Sequence, residues 1–103
     1  MEHKLRKIAD FYGYDSQSRK CIEEMAELTQ AINKFWFNDL DNGEKSVYEI
    51  HSENISIQNI KEEIADVQIM LWQLCYLLDL DIETVIDYKL NRQIERISKN
   101  ANS

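Results

Sequence analysis

The sequence predicts an all-α protein, a four-helix bundle-like domain that spans residues 1–103. Three observations predict it. The chain contains no proline and only two glycines, so few residues interrupt a helix. Charged residues make up 30% of the chain, and most of these types are poor strand formers. Apolar residues recur at helical spacing. Because 103 residues bury only a modest core, we expect oligomerisation to complete the bundle.

Four helices follow from apolar periodicity and from end signals. The first ends near Gly13, and the polar stretch YDSQS that follows offers N-cap residues for the second. Asn59 and Glu62 have the spacing of a capping box at the start of the third. The predicted ranges are 2–12, 17–37, 60–78 and 82–98.

Residues 38–58 interrupt this pattern. They contain an Asn-Gly pair, mixed charges and no sustained apolar period, so we expect a long loop insertion between the second and third helices. Long connections in compact domains are often lids, binding segments or oligomer contacts.

Composition excludes several classes of protein. The net charge of −7 disfavours binding to nucleic-acid backbones, although a phosphorylated small molecule can bind through a divalent cation. Cys21 and Cys75 lack CxxC spacing, which predicts two reduced thiols in a cytoplasmic protein. The N-terminus has no apolar signal region, and no run of 18 apolar residues occurs. We therefore expect neither secretion nor insertion into a membrane.

Three glutamates, Glu23, Glu24 and Glu27, lie close together on the second helix. At roughly 100° per residue, Glu24 lies at the edge of the apolar stripe, Glu27 further out and Glu23 furthest. A solvated acidic surface explains this helix equally well. The apolar stripe consists of Ile22, Met25, Thr29, Ile32 and Trp36, widened by Leu28 and Phe35.

Two acids on the third helix are harder to explain as surface. Glu63 falls inside the apolar sector and Asp66 lies on its border. A carboxylate that faces a core costs several kcal/mol unless a cation, a hydrogen-bond donor or a metal compensates it. The apolar sector consists of Ile60, Ile64, Val67, Leu71, Leu74 and Leu78.

The spacing of these acids predicts a shared site. Glu24 and Glu27 are three residues apart on one helix, and Glu63 and Asp66 are three apart on another, so two packed helices can bring four carboxylates together. Ligands that offer only oxygen suit Mg²⁺, Mn²⁺ or Ca²⁺. No histidine lies three residues after a glutamate, which excludes a di-iron bundle site, and a zinc site fails for similar reasons.

Basic residues line one flank of the fourth helix: Lys89, Arg92, Arg96 and Lys99. Such a flank is typical of a solvated face or of a partner for an acidic helix. Beside a carboxylate-bound metal it is also typical of a phosphate clamp, because guanidinium groups match phosphate oxygens.

These motifs resemble those of the MazG-like all-α nucleoside triphosphate pyrophosphohydrolases. EEMAE at 23–27 is similar to the family's EExxE, EIAD at 63–66 to its ExxD, and KLNRQIER at 89–96 to its segment of asparagine and basic residues. The resemblance implies a homodimer or homotetramer that uses Mg²⁺, or Mn²⁺, to cleave a nucleoside triphosphate between its α and β phosphates. The products are a nucleoside monophosphate and pyrophosphate.

The resemblance also implies roles for individual residues. Glu24, Glu27, Glu63 and Asp66 are expected to bind the metal, and Glu23 and Glu24 to be catalytic, Glu23 by orienting the attacking water. The residues expected to bind substrate are Lys89, Asn91, Arg92, Arg96 and Gln17. Gln17 belongs to a group near the ends of the first two helices that suits either a nucleobase or helix packing, with Tyr12, Tyr14, Trp36 and Phe37.

Two other functions fit the same residues. One is a non-enzymatic helical interaction protein, in which acidic and basic flanks pair between subunits. The other is a regulatory metal-binding protein that binds an ion without turnover.

Overall fold

The computed structural model describes the backbone of residues 1–39 and 47–101, and the side chains of 1–35 and 55–101. These residues form three helices and no strand, which confirms the all-α prediction: α1 (Glu2–Asp39), α2 (Val47–Leu77) and α3 (Glu83–Ala101). None of these helices has an apolar stretch long enough to cross a membrane.

Gly13 divides α1 into two helical segments. Its backbone has φ 80° and ψ 173°, a conformation that is essentially restricted to glycine. The predicted end of the first helix is therefore correct. The predicted polar connection is wrong, because Tyr14 to Ser18 are already helical.

The predicted loop at 38–58 is wrong over most of its length. Residues 47–58 belong to α2, so Asn59 lies inside a helix and does not cap one. Residues 38–39 belong to α1, and 40–46 lie outside the described residues. Of the extension of α2, the described apolar side chains Ile55 and Ile57 are about half exposed, so apolar periodicity does not reveal this part of the helix.

α1 and α2 pack as an antiparallel hairpin. Asp10 contacts Tyr76 near the start of α1, and Gln17 contacts Gln73 one step further along. The helix seam is small, and its buried apolar members are Ala9, Cys21, Val67 and Met70. Buried polar side chains share it: Gln17, Glu24 and Gln73.

The face of α1 that faces α2 differs from the predicted one. Of the described members of the stripe expected to form the core, Ile22 is 64% exposed and Met25 and Ile32 are near 40%. Leu28 and Phe35, which widen the predicted stripe, are half-buried. The adjacent face, which carries Cys21 and Glu24, is buried instead. On α2 the prediction is partly correct, because Val67 is buried while other members of the predicted sector, Ile64, Leu71 and Leu78, are exposed.

A defined cap ends α2. Asp79 has φ 54°, and the amides of Asp79 and Leu80 donate to the carbonyls of Tyr76 and Cys75, at 3.2 and 2.8 Å. This is the Schellman pattern. The Asp81 carboxylate then accepts a hydrogen bond from the Glu83 amide at 3.2 Å and caps the last helix, which begins after the predicted break between 78 and 82.

α3 leaves the hairpin without packing on it. No Cα of α3 comes within 8 Å of a Cα in α1 or α2, and none of its residues is buried. Cys21 and Cys75 are both free thiols, as expected.

Candidate metal centre

Three carboxylates meet across the hairpin. Glu24 on α1 and Glu63 and Asp66 on α2 each offer an oxygen, and these oxygens all lie within 4.8 Å of one another. Glu63 and Asp66 are neighbours because residues three apart share a helix face. Among the described side chains, this is the single group of three or more potential metal ligands.

Two oxygens of this cluster are buried without a partner. Glu24 is 7% exposed, and its Oε2 atom, like Oε2 of Glu63, is shielded from solvent and accepts no hydrogen bond. A buried polar atom without a partner costs free energy. The two orphaned oxygens therefore favour an additional cation.

The cluster disfavours its own ionisation. Burial raises the pKa of Glu63, and the negative charges of Glu27, Glu24 and Asp66 raise it further. Burial is also the largest cause of the raised pKa of Asp66, followed by the charge of Glu24. Nearby negative charges and loss of hydration both raise the pKa of a carboxylate, whereas a bound cation lowers it.

One cation of the chain already contacts the cluster. The Lys20 ammonium lies 3.2 Å from Glu24 Oε1 and 3.7 Å from Glu23 Oε2. The hydrogen bond to Glu24 and the charges of Glu24 and Glu23 raise the pKa of Lys20. Lys20 is not among the site residues predicted from the sequence. It lies four residues before Glu24 on the same helix, a spacing that indicates a side-chain contact.

Glu27 and Glu23 lie at the margin of the cluster. Glu27 is exposed, and it is near enough for its charge to act on Glu63, but it does not belong to the group of three. Glu23 is exposed and pairs with Lys20. Both are exposed, as expected of acids that lie further from the apolar stripe than Glu24.

The predicted substrate residues of α3 are not beside the cluster in one chain. Lys89, Asn91, Arg92 and Arg96 are all exposed, and α3 does not pack on either helix that carries the acids. The Arg92 guanidinium lies over the ring of Tyr88, 5.9 Å from its centre. Their role in binding phosphate remains a prediction.

Gln17 is buried and has a partner within the chain. Its Nε2 donates a 2.6 Å hydrogen bond to Oε1 of Gln73, across the α1–α2 seam. This bond satisfies a buried amide and gives Gln17 a packing role, so contact with a nucleobase remains a prediction. Tyr12 and Tyr14 are about half exposed, whereas the side chains of Trp36 and Phe37 lie outside the described residues.

The donor set fits a hard divalent cation. All three groups offer carboxylate oxygen, which Mg²⁺ and Mn²⁺ prefer, and two of their oxygens lack any other partner. Glu24, Glu63 and Asp66 are thus able to hold such an ion from two facing helices.

Comparison with known proteins gives one result. A family model described as the MazG nucleotide pyrophosphohydrolase domain matches residues 13–100. The match includes both acidic motifs and nearly all of α3, and it confirms the resemblance drawn from the sequence. Neither the curated proteins nor the solved structures give a match.

Proposed function

Because the chain belongs to the MazG nucleotide pyrophosphohydrolase domain family, we propose that it hydrolyses nucleoside triphosphates between the α and β phosphates. The products are a nucleoside monophosphate and pyrophosphate. The observation that carries this proposal is the cluster of Glu24, Glu63 and Asp66, whose oxygens lie within 4.8 Å of one another.

Mg²⁺ is the metal we propose for this cluster, with Mn²⁺ as a substitute. Glu24, Glu63 and Asp66 hold it, and Glu27 serves as a fourth ligand from the edge. When bound, the ion supplies positive charge that offsets the charge of the phosphates and of the leaving pyrophosphate. The orphaned oxygens of Glu24 and Glu63 support this assignment.

Glu23 is the carboxylate that we assign to the attacking water. It is exposed and lies next to Glu24 in the sequence, so it can accept a hydrogen bond from water at the border of the cluster. Glu24 contributes to catalysis by fixing the metal from the buried side. This division leaves one carboxylate of the EEMAE motif free to orient the nucleophile.

We propose that the protein is a homodimer or a homotetramer, because each helix leaves an apolar stripe exposed. On α2 the stripe repeats every seven residues, the spacing that helices use when they pair along a seam. Its members are Ile57, Ile64 and Leu71, and Leu78, directly after the helix, continues the spacing. On α1 the exposed members are Ile22, Met25 and Ile32.

A second copy also accounts for α3. Its apolar residues are exposed and its basic residues are remote from the acids of their own chain: Ile86, Leu90, Ile94 and Ile97 form the apolar side. Pairing of two chains covers this side, and Lys89, Asn91, Arg92 and Arg96 then reach phosphates bound at the partner's acidic cluster. Opposite charges favour this arrangement.

A product assay tests the proposed reaction. The protein is incubated with Mg²⁺ and a panel of canonical and modified nucleoside triphosphates, and pyrophosphate and orthophosphate are measured separately. We expect pyrophosphate and a monophosphate from the wild-type chain and from Glu62→Gln, and loss of at least about a hundredfold in Glu63→Gln, since even partners of metal ligands are worth 10- to 100-fold.

Two outcomes contradict the proposal. Release of orthophosphate alone contradicts cleavage between the α and β phosphates. Metal binding without turnover of any triphosphate favours the regulatory metal-binding alternative. A cytoplasmic location and the lack of nucleic-acid binding remain predictions, based on the thiols and on the net charge.

A further inference from the structure

Lys20 is a cation at the metal cluster that the proposed reaction does not use. Its ammonium lies 3.2 Å from Glu24 Oε1, so it contacts a carboxylate that the metal also needs. A divalent ion on the unpartnered Oε2 and an ammonium on Oε1 of the same carboxylate repel each other. Metal binding therefore weakens the contact between Lys20 and Glu24.

The ion pair between Lys20 and Glu24 is easily broken from its lysine end. The lysine side chain is 52% exposed, whereas that of Glu24 is 9% exposed, so one end of the pair moves freely and the other is fixed. Lysine also precedes glutamate by four residues, which is the weaker of the two orders on a helix. Because the lysine end is exposed, water also competes for the ammonium, which weakens the pair.

Lys20 also leaves the cluster incompletely neutralised. One ammonium faces three carboxylates, and the oxygens Oε2 of Glu24 and of Glu63 remain without a partner. The ammonium therefore shields the cluster without saturating it. A divalent ion that reaches these oxygens gains more from them than Lys20 does.

A groove beside the pair offers Lys20 a second position. It has a volume of about 510 Å³ and is lined by Asp15, Ser16, Arg19, Lys20 and Glu23. Arg19 and Lys20 provide two positive charges, which suit phosphate oxygens. The Ser16 hydroxyl beside them donates to Gln17 Oε1 at 3.3 Å. Asp15 and Glu23 line the same groove, so the phosphate that enters must be accompanied by a cation.

We propose that Lys20 exchanges partners during the reaction cycle: it holds Glu24 in the metal-free protein and binds a phosphate oxygen of the nucleotide once the metal has taken Glu24. This proposal rests on the proposed function. It makes Lys20 a competitor of the metal in the absence of nucleotide and a ligand of the nucleotide in its presence. A variant without the Lys20 charge is therefore expected to bind the metal more tightly and the nucleotide more weakly.

Metal affinity tests the first role without any turnover. Mn²⁺ is titrated into the metal-free full-length protein by calorimetry, for wild type, Lys20→Met and Lys4→Met, a variant with the same change at an exposed lysine near the start of α1. We expect Lys20→Met to bind Mn²⁺ about threefold to tenfold more tightly, because a repelling charge is removed, and Lys4→Met to match wild type. Unchanged or weaker binding by Lys20→Met overturns the proposal.

Phosphate affinity tests the second role. Inorganic tripolyphosphate is titrated at saturating Mg²⁺, which removes any dependence on the nucleobase and on hydrolysis. We expect Lys20→Met to bind it about tenfold more weakly, as for loss of one hydrogen bond to a charged group, and Lys20→Arg to recover most of the affinity. Equal affinity of wild type and Lys20→Met overturns the proposal.

These titrations separate the failure of this inference from that of the proposed function. A wild-type chain that hydrolyses no triphosphate contradicts the function, yet both titrations still decide the role of Lys20. Lys20→Gln, which keeps a hydrogen-bond donor near Glu24, replaces Lys20→Met if circular dichroism indicates that the methionine variant is unfolded, and the same shifts are expected of it.

Discussion

At the scale of single residues, the acids of the cluster follow from the sequence because of their spacing. Glu63 and Asp66 lie in an apolar sector, and this conflict with burial requires a partner. Lys20 is not predicted in this way, because an exposed lysine on a helix requires no partner. The sequence leaves open whether Gln17 binds a nucleobase or packs between helices, and it does not reveal that Gln73 on another helix satisfies its amide.

Replacing Glu63 by glutamine is expected to stabilise the metal-free protein. The change keeps the shape of the side chain and removes a charge that burial and the charges of Glu27, Glu24 and Asp66 disfavour. We expect a higher melting temperature without metal, and little further gain on adding Mg²⁺. Thermal melts of wild type, Glu63→Gln and the exposed neighbour Glu62→Gln test this, and a lower melting temperature for Glu63→Gln alone contradicts it.

The stability of the metal-free protein should depend on pH in a defined direction. The raised pKa values of Glu63 and Asp66 mean that the folded chain holds protons that the unfolded chain has released. The protons held by Glu63 and Asp66 stabilise the folded state fully below the ordinary carboxyl pKa values. This stabilisation is lost as the pH rises through the raised pKa values.

Urea denaturation over this pH range measures the effect. We expect wild type to lose stability relative to a Glu63→Gln, Asp66→Asn double variant as the pH rises, because the variant lacks both titrating groups. Saturating Mg²⁺ should reverse the trend, since the metal binds the deprotonated cluster. A constant difference between the two proteins over the whole range argues against a coupled acidic cluster.

At the scale of helices, the sequence predicts their existence better than their faces. Periodicity identifies an apolar stripe, but it does not say whether that stripe meets a helix of the same chain or another subunit. On α1 the stripe with Ile22 is exposed, and the face with Glu24 packs on α2. The start of α2 was missed for a related reason, because Ile55 and Ile57 are not part of a buried stripe.

Gly13 sets the break in α1, and its replacement by alanine should be costly. A Cβ at this position meets no atom within 4 Å, so the cost comes from the backbone conformation alone. We expect Gly13→Ala to lower the free energy of unfolding by about 1–3 kcal/mol. Urea denaturation measures it, and the exposed control Lys34→Ala should stay within about 0.5 kcal/mol of wild type. An unchanged free energy of unfolding in Gly13→Ala would contradict a cost from this backbone conformation.

At the scale of the whole molecule, the chain is more open than a self-contained domain. Its radius of gyration is 18.5 Å, whereas a compact domain of 100 residues has a radius of gyration of about 13 Å. α3 accounts for much of this openness because it packs on neither other helix. The length of the chain predicts that one copy buries only a modest core, but the sequence does not predict how a second copy packs against it.

An acid placed in the apolar stripe of α3 should disrupt assembly. Leu90 is half exposed in one chain and, in the proposed oligomer, lies against a second copy. We expect light scattering coupled to size-exclusion chromatography to give a dimer or tetramer mass for wild type and a smaller mass for Leu90→Asp. Thr84→Asp adds the same charge about 120° around α3 from Leu90, away from the apolar stripe, and should assemble normally. A monomeric wild-type protein contradicts the proposed oligomer.

Calorimetric titration of Mn²⁺ into the metal-free protein tests most directly the claim that Glu24, Glu63 and Asp66 form a metal site. The comparison uses wild type, Glu63→Gln and Glu62→Gln, since the two variants make the same chemical change at adjacent residues and only Glu63 belongs to the cluster. We expect wild type and Glu62→Gln to bind the ion with equal affinity and Glu63→Gln to lose at least about tenfold. Equal binding by all three proteins would contradict the account.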